Sequence, residues 1–182
     1  MEAQIRKALQ ELDKGKFINL HISADTYQEL KGEKLASCLI GQRDQVIYIT
    51  SKTPSVKLQK GMSRRMRDSI YFIDMVGGSG SVFSKETGNT LFTATERSLT
   101  ELGISVFSLE RFKNKKKLIV LDSIPSLVEL NGMESVVSFL MFLRKKIEST
   151  GDCGLLLSLS DSDDNFEGVS ERYFHKTIKL GR

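Results

Sequence analysis

The run Leu118-Ile-Val-Leu-Asp-Ser-Ile-Pro-Ser-Leu127 decides the fold. Four apolar residues lead straight into Asp122 and Ser123, with no polar alternation and too little length for a typical helix. A strand buried on both faces of a parallel sheet reads this way. A carboxylate at its end stands at the carboxyl edge of the sheet, where open α/β folds bind ligands.

Working outward, more strands of this kind alternate with helices. Lys16–Ile22, Gln45–Thr50, Ser69–Met75, Thr90–Thr93, Gly154–Leu159 and Lys176–Leu180 are expected strands, and the third also ends at an aspartate, Asp74. Glu2–Leu12 is an amphipathic helix with Ile5, Leu9 and Leu12 on one stripe. Thr26 and Glu29 have the spacing of a capping box, opening a helix expected to run to Ile40, with Gly41 past its end. Thr53 is expected to cap a helix that begins at Pro54, with Val56, Met62 and Met66 as core contacts. A second capping box, Ser98 with Glu101, opens a helix to about Phe112, with Leu99, Leu102, Val106 and Leu109 on one stripe. Glu134–Glu148 is a further helix, apolar over most of its surface and then basic, and Gly151 stops it. Strands alternating with helices predict a mostly parallel central sheet covered on both faces.

Two stretches invite a ligand reading and fail it. Gly77-Gly-Ser-Gly80 lies in a run, Val76–Gly88, that reads as a loop; it lacks the GxxxxGK[ST] pattern of a phosphate cradle. Asp161–Glu167 holds four acids without the spacing of a calcium loop, and reads as a solvated acidic loop. His21 and His175 stand apart from any nucleophile motif. Cys38 and Cys153 are isolated and expected to be small buried hydrophobes, not a disulfide or metal pair.

Composition bounds the rest. The chain has 182 residues, 40% hydrophobic and 27% charged, with two prolines and no linker-like stretch, so a single domain over 1–182 is expected. It has no signal-like apolar run near Met1 and no apolar run of roughly 18 residues, so no membrane span and a cytoplasmic location are expected. The net charge of +4 is clustered: Arg64, Arg65 and Arg67; Lys113 with Lys115–Lys117; and Arg144–Lys146. Such clusters can neutralise phosphates. Cations also complement the negative ends of helices, and the aromatic residues sit in apolar runs instead of among these cations. Nucleic-acid binding through the basic clusters is therefore the disfavoured alternative.

The second half resembles a known family. Asn89-Thr-Leu-Phe-Thr-Ala-Thr-Glu-Arg-Ser-Leu-Thr-Glu-Leu-Gly-Ile104 resembles the segment that precedes Walker B in archaeal RecA/KaiC-like proteins. Leu118–Leu127 is similar to their Walker B stretch, and Val136–Leu140 and Gly154–Leu159 to the helix and strand that follow. Val46–Ser51 and Ile70–Asp74 are similar to the family's second and third core strands. The resemblance implies a three-layer P-loop-NTPase-type sandwich, with Asp122 in the place of the carboxylate that positions Mg²⁺ in active members. Active members also carry a glycine-rich loop ending in Gly-Lys-Thr/Ser after the first strand, and glutamates after the second. Ser23–Ser37 holds Tyr27, Gln28, Glu29 and Leu30 in the first place, with Gly32 between Lys31 and Lys34; Lys52 and Thr53 stand in the second.

The resemblance thus implies one of the inactivated RecA/KaiC-type homologues found in archaea, with a suggested role in signal transduction. No catalytic residue, metal or cofactor is expected, and a protein partner or homo-oligomer is. Ser23, Lys31, Lys34, Thr50, Asp74, Asp122 and Ser123 are the candidate residues of a remnant crevice. The other alternative is a domain that binds a nucleotide or small molecule there without hydrolysing it.

Overall fold

A computed structural model describes residues 2–10, 12, 15–76, 85–93, 98–109, 112–159 and 172–180. Helix α1 (Glu2–Gln10) leads into β1 (Phe17–Ile22), α2 (Ala24–Leu30), α3 (Glu33–Leu39) and β2 (Gln45–Thr50). Then follow α4 (Ser55–Leu58), α5 (Arg64–Asp68), β3 (Ile70–Asp74), β4 (Lys85–Thr87), β5 (Thr90–Phe92) and α6 (Leu99–Phe107). The remainder is β6 (Lys117–Asp122), α7 (Ile124–Asn131), α8 (Met133–Thr150), β7 (Cys153–Leu159) and β8 (Lys176–Leu180).

The strands form one eight-stranded sheet in the order β4-β5-β3-β2-β6-β7-β1-β8. Every neighbouring pair is parallel except β4 and β5. This is the α/β architecture that the alternation of strands and helices predicts.

Side chains alternate across the strands and feed two cores. On one face Ile18, Leu20, Val46, Tyr48, Phe72, Val120 and Leu155 pack against α1–α4, with Met66 of α5 beside them. On the other, Phe17, Ile47, Tyr71, Ile119 and Leu156 pack against α6–α8 through Leu102, Leu127, Leu140 and Leu143. β2 and β3 are buried at every position, as strands covered on both sides must be.

Several expected boundaries move, each for a local reason. The first capping box is not used: Ser23 caps α2 instead, its Oγ accepting from the Thr26 N–H at 3.2 Å. The expected continuous helix to Ile40 is broken at Gly32, whose φ of +81° is left-handed backbone that glycine tolerates best. A Cβ there would lie 3.1 Å from the Leu58 carbonyl oxygen. Pro54 is the N-cap of α4 rather than its first residue, and Thr53 does not cap it. Val56 is not a core contact; it is 73% exposed, whereas Met62 is buried.

The helix opened by Ser98 stops at Phe107, short of Phe112. Residues 85–87, expected as loop, form β4 by pairing antiparallel with β5. α7 was not foreseen. Its Pro125 sits in the first turn, where a missing N–H costs nothing. Gly77–Gly80 and Asp161–Glu167 lie outside the described residues. Cys38 and Cys153 are both buried free thiols. No helix among the described residues is long and apolar enough to cross a membrane.

Candidate functional site

The sheet topology defines the crevice. After β2 the chain turns toward β3, and after β6 it turns the other way, toward β7. Their connections diverge between these two neighbours, and such a switch point is where open α/β sheets form ligand clefts. Thr50 and Asp122 are paired across it, and Thr50 also pairs with Asp74 on its other side.

Asp122 is the centre. Its side chain is 1% exposed and shares the face of Tyr48 and Val120, toward α2. Oδ2 accepts from the Tyr48 hydroxyl at 2.5 Å and from the Tyr27 hydroxyl at 2.8 Å. Oδ1 is buried with no hydrogen-bond partner among the described residues. Removal from water raises the carboxyl to about 6, against the lowering effect of the two tyrosine hydrogen bonds and the charges of Lys31 and Lys52. Burial, then the Asp122 charge, pushes both tyrosine hydroxyls well above the usual phenol range. Both phenols therefore remain protonated donors.

Below this pair lies a knot of hydroxyls. The Ser51 N–H donates to the Asp122 carbonyl at 2.8 Å, and Ser51 Oγ lies 2.7 Å from Ser126 Oγ. The Ser123 N–H donates to Ser51 Oγ at 3.2 Å, and Ser126 Oγ donates to the Ser123 carbonyl at 3.0 Å. The Asp122–Ser123 peptide bond is cis. These contacts tie the end of β6 to the segment after β2 and to the first turn of α7.

The other candidate residues divide. Ser23 caps α2 and also donates to Thr26 Oγ1 at 2.8 Å. Thr50 is fully buried and donates from Oγ1 to the Thr53 carbonyl at 2.5 Å. Asp74 accepts the Ser55 N–H at 2.6 Å and the Val76 N–H at 2.9 Å, so one carboxylate holds both α4 and the turn after β3. Lys31 is exposed at the end of α2 and acts on Asp122 through its charge. Lys34 is exposed on α3, one helix further on.

The structure thus gathers Thr50, Asp122 and Ser123 at one point, with Ser23 and Lys31 at the two ends of the helix that carries Tyr27. Tyr48, Ser51 and Ser126 were not singled out in the sequence. Tyr48 had a signal: it lies two residues before Thr50 in β2, hence on the same face. Ser126 follows Ser123 by three, the spacing that brings two side chains together in a first helical turn. Among the described residues no group of three or more His, Cys, Asp or Glu is placed to hold a metal ion.

No protein-family model matches the chain, and no curated protein matches it in sequence. Solved structures do match. The KaiC-like protein PH0186 of Pyrococcus horikoshii superposes with a TM-score of 0.62 at 16% identity, over 93% of this chain and 74% of that one. A second structure, of an ATPase domain, gives 0.61 at 12% identity, over 97% and 74%. The flagellar accessory protein FlaH of Methanocaldococcus jannaschii gives 0.57 at 13%, over 97% and 76%. The fold is that of RecA/KaiC-like ATPase domains. At these identities the likeness concerns the fold alone, and it agrees with the fold implied by Leu118–Leu127.

Proposed function

We propose that this chain is a non-catalytic RecA/KaiC-like domain that acts through protein contact, in the cytoplasm, within a signalling system. One observation carries the reading. The segment after β1, where the resemblance calls for a glycine-rich phosphate loop, is helix α2, and its Tyr27 donates to the carboxylate at the end of β6. A phosphate loop works by turning successive backbone N–H groups toward the ligand. In α2 the Tyr27 and Lys31 N–H groups are spent within the helix, on the Ser23 and Tyr27 carbonyls, and the Thr26 N–H on the Ser23 cap. Lys52, exposed, stands where active members carry a glutamate.

Isothermal titration with Mg·ATP and with Mg·GTP tests the reading. No saturable heat is expected for either nucleotide; saturable binding near micromolar concentration would overturn it. A second reading, small-molecule binding without hydrolysis, is favoured by the unpartnered Oδ1 of Asp122. An unpaired buried acceptor costs about 1–3 kcal/mol, which a ligand donor would recover. A thermal-shift screen in which no compound raises the midpoint would remove it.

A further inference from the structure

On the face of the sheet away from Tyr27, α6 and α8 leave a groove between them. One part of it, about 680 Å³, is lined by Leu99, Ile104, Phe107, Phe139 and Phe142 beside Gly103, with serine, threonine and asparagine side chains and Lys146 completing the wall. Gly103 has a packing reason to be glycine: a Cβ there would lie 2.9 Å from the Phe142 ring. Phe142 meets Phe107 edge to face at 6.1 Å. Nevertheless Ile104 is 61% exposed and Phe142 40%. Large apolar side chains grouped on an exposed rim mark an interaction surface.

The groove does not end there. Phe107, Ser108 and Lys146 also line its continuation, about 480 Å³, which is walled by Lys113, Lys115 and Lys116. Among the described residues, Asp152 is the one carboxylate in the whole lining; it is 1% exposed and paired with Lys117 at 3.1 Å. One end therefore gathers the large apolar side chains, with neutral polar groups among them, and the other is positive, with no exposed negative charge among the described lining residues.

We propose that this groove docks an amphipathic helical segment of a partner protein, with apolar anchors at one end and a run of acidic residues at the other. The inference rests on the reading of the chain as a protein-contact domain and names the surface and the chemistry of the contact. An amphipathic helix laid in a groove buries its anchors at i, i+3, i+4 and i+7. Its carboxylates would meet the lysine end, giving charge complementarity that steers encounter and excludes basic partners. Nucleic acid fits less well, since the cations occupy one end only and Ile104 would face no apolar surface. A second copy presenting this same groove brings more lysines and, among the described lining residues, no exposed carboxylate.

The test is fluorescence anisotropy with a labelled synthetic helix of that pattern, a version with every Glu replaced by Lys, and an oligo-dT strand. The acidic helix should bind, and the Lys version should not. Ile104→Ser, and separately Lys115→Glu with Lys146→Glu, should each weaken binding about tenfold. Both sites are exposed, so these variants should keep the fold. Failure of the acidic helix to bind, equal binding of the Lys version, or indifference to both variants overturns the proposal. So does tighter binding of oligo-dT, or self-association in analytical ultracentrifugation that Ile104→Ser abolishes. The groove and Asp122 lie on opposite faces of the sheet. Nucleotide binding in the titration above would therefore defeat the proposed function and leave the peptide result standing, and the converse also holds.

Discussion

Tyr27 reaches Asp122 from a helix 95 positions earlier in the chain and donates its hydroxyl to Oδ2 at 2.8 Å. Tyr48 donates to the same oxygen at 2.5 Å. One carboxylate oxygen thus joins α2, β2 and β6, and it is charged at neutral pH, above its raised titration point of about 6.

Removing one donor leaves a buried negative charge with half its support. Tyr48→Phe should destabilise the fold by about 1.5–3 kcal/mol at pH 7, the range for hydrogen bonds to charged groups. Urea unfolding measures it. Tyr48→Phe in an Asp122→Asn background should cost less, because the charge is gone; equal costs in the two backgrounds would show that the hydroxyls do not act on the carboxylate.

The same carboxyl predicts an unusual pH response. Its folded value, about 6, lies above the unfolded one, so the native state holds the proton more tightly. Its stabilising contribution is full below about pH 4 and is lost as pH rises through about 6. A rise of that size corresponds to something on the order of 3 kcal/mol. Wild type minus Asp122→Asn should therefore show stability falling from about pH 4 to about pH 7, opposite in sign to ordinary acid denaturation. A flat difference across that range would contradict it.

Gly154, in β7, lies under both Phe17 and Ile147. A Cβ there would stand 2.4 Å from Phe17 Cδ2 and 2.6 Å from Ile147 Cδ1. Gly154→Ala should cost about 1–3 kcal/mol through overpacking. Reducing Ile147 to Val in the same chain should return part of the loss, as read from the thermal midpoint.

Ser98 caps α6, its Oγ accepting the Glu101 N–H at 3.1 Å. Ser98→Ala should cost about 1 kcal/mol and Ser98→Asp much less. Equal losses for the two substitutions, by urea titration, would mean that the cap is not what Ser98 supplies.

Features written in local sequence were legible. Gln45–Thr50 is a strand with the expected ends, and the apolar run from Leu118 into Asp122 is a strand that also takes in Lys117, because continuous apolar runs bounded by polar residues admit little else. Ser98 with Glu101, and Gly151 at a φ of +67°, punctuate helices as their chemistry predicts. What escaped was set by tertiary contact. Gly32 breaks a helical pattern with left-handed backbone, at a point where the Leu58 carbonyl leaves little room for a side chain. Val56 fits an apolar stripe but is exposed, and α4 buries Ser55 and Leu58 instead. β4 exists only through its pairing with β5. At the site, Asp122 was visible and Tyr48 could be placed on its face, but Tyr27 could not, since it meets Asp122 only when α2 packs over the paired strands β2 and β6.

The strand order has a consequence for how the chain must be made. β1 lies between β7 and β8, both drawn from the sequence beyond Asp152. During synthesis β1 therefore waits, apolar and unpaired at both edges, until Cys153–Leu159 and Lys176–Leu180 have emerged. Such distant pairings are slow to form, and an unpaired apolar edge seeds aggregation. Ribosome-stalled or truncated chains that lack β7 should collect in the insoluble fraction or on chaperones, even though they contain Asp122 and both tyrosines.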